Sequence, residues 1–360
     1  MGFQASELKS RDTLLTVGAA ACAGLAGFML WRVLRKKQAP SPDGIRVAII
    51  GTGWGVRVQV PQFRAAGLRI FALYSRDQKR ASQIAAENKI THAFSDYSSL
   101  LSVDTVDLVS IVTPVHLHAE QTIEAIRAGR NVLVDKPLCL NADEGEAMLD
   151  AHQEHISQVV IVDHELRFTP AFLRAREHLR RGSIGQVLVV EANVLFPVPT
   201  GTFTWWADAS KGGGVLGAIG SHIIDALRFL LDAEIEEVSA NLKTLLTELP
   251  DEEGTPRKVT SDDYACLQLK LGSLTVTDEA GKVIDSIRGQ GNPFATTGTR
   301  ALGEALQKAL GTEKDMAALE PAARLEDGLA VQYVIDAAKA SSREDGKWIR
   351  AWNNNLEESF

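Results

Sequence analysis

Two features that would open whole classes of function are scarce in this chain: a surplus of basic charge and paired cysteines. Its 38 Lys and Arg are outnumbered by 46 Asp and Glu, giving a formal net charge of -8. A protein that tracks nucleic-acid phosphates needs a basic face. The dense basic stretch here is Arg32, Arg35, Lys36 and Lys37, which has another explanation below, so nucleic acid is excluded as a partner. Cys22, Cys139 and Cys266 stand far apart, with no CxxC pair and no even set for a disulfide framework. The folded part therefore reads as a protein of a reducing compartment, and no metal site is expected.

What the chain does have is length and apolar mass. At 360 residues it exceeds one ordinary core, and a hydrophobic fraction of 45% suffices for two domains and a tail. From Leu14 to Trp31 the run LLTVGAAACAGLAGFMLW carries no charge. At 1.5 Å per residue it just spans a hydrocarbon core of roughly 30 Å, which predicts a single-helix anchor. Its small residues leave a signal peptide or matrix-targeting helix as the alternative. The four basic residues follow the run directly, whereas Lys9 and Arg11 before it are offset by Glu7 and Asp12. By the positive-inside rule the C-terminal bulk then faces the cytosol, from a membrane such as the mitochondrial outer membrane or the endoplasmic reticulum. QAPSPDG, Gln38 to Gly44, reads as a linker.

At Ile45 the short apolar run IRVAII reads as a strand, and GTGWG follows at Gly51, Thr52, Gly53, Trp54 and Gly55, before a helix expected over 56–66. Gly51 would make the tight turn, and Gly53 would let a pyrophosphate approach the amides at a helix N-terminus. The spacing departs from GxGxxG, because Val56 stands where the third glycine would be. LRIFALY, 68–74, reads as the second strand and ends in Ser75, Arg76 and Asp77. An acidic residue there usually accepts from the ribose 2'-hydroxyl, whereas an arginine pairs with a 2'-phosphate. Ser75 and Arg76, with Arg80 one turn on, thus favour NADP(H), with NAD(H) as the alternative. Asp77 also fits a helix cap. A strand over 106–112, the turn Thr113-Pro114, a helix over 116–128 and a strand over 132–134 continue a βαβ alternation, hence a doubly wound parallel sheet. Ligands of such sheets lie beyond the strand carboxyl ends, where Thr113, Pro114, Asp135 and Lys136 fall.

The series GTGWG, TPVHLHAEQTIEAIRAGRNVLVDKP and GGGVLGAIGSHIID resembles the glucose-fructose oxidoreductase and inositol dehydrogenase family, and in particular its eukaryotic "glucose-fructose oxidoreductase domain-containing" branch. The resemblance runs from about Ile45 to near Trp352. It implies a Rossmann domain over 44–163 after an anchor and linker over 1–43. It also implies an α+β domain over 164–360 with an open, mostly antiparallel sheet, whose last helices return to the first domain. The family's Glu-Lys-Pro signature falls on Asp135-Lys136-Pro137, which implies Lys136 near the reacting carbon; its histidine falls on His222, an acid–base group for alcohol–carbonyl interconversion. The family usually carries an aspartate four residues earlier, where this chain has Ala218; Asp225, one turn later, is the candidate substitute. His118 and Arg167 match family residues at the cofactor, and Trp205 or Trp206 could stack on a sugar ring.

In the second half, 186–196, 235–246 and 263–271 read as strands, and 299–310 and 323–340 as helices. The step from Leu271 to Ser273 is shorter than the resemblance implies, so the sheet is expected to have a bare edge available for homo-oligomer contacts. The function expected is NADP(H)-dependent oxidation or reduction of a sugar, polyol or related hydroxy compound at a membrane. The alternative is a catalytically weak or inactive NADP(H)-binding sensor or scaffold.

Overall fold

The computed structural model describes residues 44–195, 201–271 and 296–352. The expected anchor over 14–31, most of the linker and the junction after Leu271 lie outside the described residues.

Strands β1 (Arg46–Ile50), β4 (Leu108–Ile111), β5 (Asn131–Val134) and β6 (Val160–Val162) are buried along nearly their whole length. Continuous apolar strands of this kind belong to parallel sheets covered on both faces. With β2 (Arg69–Tyr74), β3 (His92–Phe94) and β11 (Ala323–Arg324) they form one sheet in the order β11-β6-β5-β4-β1-β2-β3. β11 is antiparallel to β6, and the other pairs are parallel. The chain winds outward from β1 to β3 and then restarts at β4 on the other side of β1. That reversal leaves a crevice beyond the carboxyl ends of β1 and β4.

A π-helical turn, Gly55–Gln59, leads into α1 (Val60–Ala65). It is followed by α2 (Gln78–Glu87), α3 (Tyr97–Leu101), α4 (His118–Arg127) and α5 (Ala142–Gln153). The starts of α2, α3 and α5 are fixed by Asp77, Asp96 and Asn141, whose side chains accept otherwise unpaired amides. Two apolar clusters sandwich the sheet. One holds Ile126, Met148 and Leu329, the other Phe63, Leu302 and Leu306.

Further on come α6 (Pro170–Arg180), α7 (Ser221–Leu231), α8 (Gly298–Leu310) and α9 (Leu325–Arg343). α8 and α9 supply Leu302, Leu306 and Leu329 above, so the chain's last helices close over the first sheet. α9 also packs Val331, Val334 and Ile335 against Val238 and Ala240. Those two belong to an antiparallel sheet ordered β10-β7-β12, from β7 (Ile235–Lys243), β10 (Tyr264–Leu271) and β12 (Ile349–Arg350). A hairpin of β8 (Glu248–Pro250) and β9 (Pro256–Lys258) completes the strands.

Three expectations need correction. Residues 186–195 form no strand; among the described residues no strand pairs with them, and Leu188 and Leu195 stand 82% and 100% exposed. β7 stops at Lys243 rather than 246, since the Leu245 and Leu246 amides turn onto the Asp263 carboxylate, both at 2.7 Å. α9 begins at Leu325 rather than 323, because Ala323 and Arg324 pair with β6 and the Asp327 carboxylate accepts the Arg324 amide at 2.9 Å.

Candidate functional site

The site is built on the turn after β1. Gly51 has φ +129°, and a Cβ there would lie 2.4 Å from the Val112 carbonyl oxygen. Its amide donates to the Tyr74 carbonyl at 3.2 Å. The turn is thus wedged between the ends of β2 and β4 with no room for a side chain. At Gly55 a Cβ would meet Ile49 at 2.8 Å, so this glycine lets the helix lie on the sheet and does not line the cavity above. Gly53 differs: nothing lies within 4 Å of where its Cβ would be. No internal contact calls for glycine at that position.

A cavity of about 810 Å³ runs across the strand ends, lined by Gly51 to Trp54 along its length. Ser75, Arg76 and Arg80 line it beyond β2, and Asp77 accepts the Arg80 amide at 3.0 Å as the cap of α2. Arg57, Tyr74 and Gln121 join them; the sequence reading passed over all three. Three strand spacings separate β2 from β5, about 14 Å. On that far side the lining includes Thr113, Pro114, His118, Asp135, Lys136, Trp205, Trp206 and His222. His118 is buried, with Nε2 2.8 Å from the Thr113 carbonyl and Nδ1 3.1 Å from that of Pro137. It therefore ties the turn after β4 to the turn after β5. Burial lowers its pKa, so the ring stays neutral at neutral pH and one nitrogen donates.

Beyond β5 the lining turns ionisable. Lys136 donates from Nζ to the Ala218 carbonyl at 2.8 Å, while its amide donates to Asp135 Oδ1 at 2.8 Å. His222 Nδ1 lies 3.8 Å from Glu165 Oε2, and both residues line the cavity although nearly buried. Burial, then the charge of Lys136, holds the His222 pKa well below the usual histidine range. Burial, then Asp163, raises that of Glu165. Behind them Ser110 donates to Gln59 at 2.7 Å, and Gln59 donates to Asp163 Oδ2 at 2.8 Å. Burial, with help from Asp135, pushes the Asp163 carboxyl up to about 7. His164 stands edge-on to His222 with 6.0 Å between ring centres, its pKa lowered by burial to about 4. Glu165 carries no motif signal; the one hint is acidic residues straight after the apolar VIV of β6.

Besides Gly55, two expected site residues are placed elsewhere. Arg167 does not line the cavity; it grips Asp225 through Nε and Nη at 2.7 to 3.1 Å and reaches Asp327 at 3.1 Å. Both carboxylates are taken up by a buried guanidinium that needs them. Asp225 is therefore spent on Arg167 and does not act as the partner of His222.

Two family models match the sequence: "Oxidoreductase family, NAD-binding Rossmann fold" over residues 45–164, and "GFO/IDH/MocA C-terminal domain" over 172–286. An uncharacterised oxidoreductase of Synechocystis sp. is 33% identical over 65% of this chain and 64% of its own length, so this chain spans just under two thirds of that relative. Glucose-fructose oxidoreductase domain-containing protein 2 of Mus musculus is 28% identical over 84% of this chain and 92% of its own length. Among solved structures, levoglucosan dehydrogenase in complex with NADH and levoglucosan superposes with a TM-score of 0.68 at 22% identity, over 86% of this chain and all of that one. At that identity the likeness speaks for the fold.

Asp163 makes the site sensitive to pH. Its folded pKa of about 7 lies above the ordinary 3.8, so the native state holds the proton more tightly than the unfolded chain does. The stability this provides is complete below about pH 4 and lost as pH rises through about 7. Asp163→Asn keeps an acceptor for Gln59 and removes the ionisation. The variant's melting temperature should exceed that of the natural protein by about 3 °C at pH 8 and by nothing at pH 4. Parallel pH profiles for the two would contradict the assignment.

Proposed function

The chain belongs to the Gfo/Idh/MocA oxidoreductase family, and on that premise we propose that it is an NADP(H)-dependent oxidoreductase acting on a CH–OH group of a sugar, polyol or related small hydroxy compound. One observation carries the reading: a single cavity joins a cationic rim at the end of β2 to Lys136 and His222 beyond β5. The residues fit a dinucleotide. Gly53 leaves open space over the turn at the head of a helix, where an anion is favoured, and Arg57, Arg76 and Arg80 supply positive charge. Ser75 and Arg76 would hold the 2'-phosphate, the 51–55 turn the pyrophosphate, and Thr113, Pro114 and His118 the wall beyond it. When bound, the nicotinamide group gives or takes hydride. The NADH in the levoglucosan dehydrogenase complex is a property of that protein; the preference for the phosphorylated cofactor rests on Arg76 and the absence of an acid at Ser75.

Lys136 is tethered at the Ala218 carbonyl and presents its remaining ammonium protons to the cavity, where they would polarise a substrate oxygen. His222, neutral at physiological pH, would exchange the hydroxyl proton. Trp205 and Trp206 offer aromatic surface to a sugar ring. The uncharged run over 14–31, followed by four basic residues, supports a membrane tether with the folded part on the cytosolic side. Among the described residues β10 has no outer neighbour, which supports self-association through that sheet.

Calorimetric titration of the full-length protein with NADPH and NADH should show tighter binding of NADPH. Arg76→Ala should cost NADPH about tenfold and leave NADH nearly unchanged; equal losses would reject the phosphate assignment, and binding of neither would reject the function. Gly53→Ala should weaken both cofactors without lowering the melting temperature, whereas a loss of stability would make Gly53 a folding residue. Under carbonate extraction the full-length chain should stay with the membrane pellet, and release would rule out the tether.

A further inference from the structure

Glu165 takes no part in the function just proposed, yet it sits in the middle of the machinery. It opens the short turn Glu165–Phe168 that leaves β6, is 4% exposed and still lines the cavity. Its backbone is held firmly, since a Cβ on Gly298 at the start of α8 would lie 2.4 Å from the Glu165 carbonyl oxygen. Its carboxyl reaches to 3.8 Å from His222 Nδ1, on the ring edge opposite Nε2. Position 218 offers no ionisable group there, only a carbonyl already used by Lys136. Asp225 is committed to Arg167. Glu165 thus offers His222 a carboxyl group at 3.8 Å, with no arginine paired to it among the described residues.

We infer that Glu165 is the proton store of the site: it feeds His222 at Nδ1 while His222 delivers a proton from Nε2 to the substrate oxygen. The inference rests on the oxidoreductase reading above. In the direction of reduction, hydride and its electron pair pass from NADPH to the carbonyl carbon, and the carbonyl π pair becomes an oxygen lone pair. The Nε2 proton of His222 moves to that oxygen as the Glu165 proton moves to Nδ1. The products are a CH–OH group, NADP⁺, a neutral imidazole and a Glu165 carboxylate, and the last is reprotonated from solvent before the next cycle. The reverse sequence serves oxidation.

The surroundings favour this division of labour. The ionisable groups acting on Glu165 are Asp163 from its own strand end, Asp135 and Lys136 from the end of β5, and His222 from α7, with His164 edge-on to that histidine. Burial and Asp163 favour the protonated carboxyl, whereas burial and Lys136 disfavour an imidazolium at His222. A histidine kept neutral cannot hold a spare proton, and the carboxyl beside it can. Closing 3.8 Å to hydrogen-bond distance takes a small carboxyl rotation, of the kind that substrate-free sites commonly need. Acting through His222, Glu165 is a positioning residue.

The test uses the full-length protein with NADPH and fructose, or with NADP⁺ and levoglucosan, glucose or myo-inositol. In the reduction, Glu165→Gln should lower kcat about 100-fold with little change in KM, and should abolish the fall in rate at high pH that marks loss of the stored proton. Glu165→Asp should restore part of the rate together with that fall. An unchanged kcat and pH profile in Glu165→Gln would overturn the inference. Independently of turnover, the infrared spectrum at neutral pH should contain a protonated-carboxyl C=O band that Glu165→Gln removes. If the band set is unchanged, Glu165 is ionised and stores nothing. If none of the four compounds reacts with the natural protein while the band is present and lost in the variant, the oxidoreductase reading fails and the protonation of Glu165 stands.

Discussion

Gly51 is caught between two strand ends, its amide on the Tyr74 carbonyl and its α-carbon against the Val112 carbonyl. Everything on the cofactor side of the molecule depends on that fit. A side chain at Gly51 would push the turn away from β4, and the helix carried by Gly55 would lose its seat on Ile49. With both glycines the turn lies at the point where strand order reverses, directly under the cavity that Gly51 to Trp54 line. The backbone thus makes the floor of the crevice, and side chains from the ends of β2 and β5 make its two ends.

At the β5 and β6 end the organising force is burial. Lys136, Asp163, His164, Glu165, Arg167, His222 and Asp225 crowd together with little solvent, and the cluster divides into two parts. Arg167 draws Asp225 and Asp327 into a closed ionic group away from the cavity. The rest cannot all be charged. Asp163 moves up to about 7, Glu165 is raised, and His164 moves down to about 4, so the imidazoles are neutral near neutral pH and the buried acids hold their protons far above the ordinary carboxyl range. What remains at this end of the cavity is the Lys136 ammonium beside the Asp135 carboxylate, a setting in which a developing alkoxide would feel Lys136 at short range.

Where local pattern and tertiary structure agree, the fold was readable from residues. The apolar run before GTGWG, the alternation through Val134 and the cap at Asp77 each lie where strand, turn and helix physics put them. The difference at 186–195 has a physical cause: Val and Leu content reports a side chain's suitability for a pleated surface, and among the described residues no strand pairs with the segment. Site chemistry was legible to the extent that it followed backbone position, as with Lys136 at a strand end. It was illegible where burial decides. Nothing in ELRFTP says that Arg167 faces away from the cavity, that Asp225 will pair with it, or that Glu165 two residues earlier faces His222. Asp225 has the helical spacing of a partner for His222, but spacing along one helix says nothing about an arginine arriving from another element.

The central claim is that one crevice holds a whole phosphorylated dinucleotide with its reactive ring beside Lys136 and His222. The most direct measurement is a crystal structure of the protein grown with NADP⁺. The account predicts the 2'-phosphate between Ser75 and Arg76, the pyrophosphate over Gly53, and the nicotinamide within reach of Lys136 Nζ. A cofactor bound elsewhere, or one whose nicotinamide lies at the arginine rim, would contradict it.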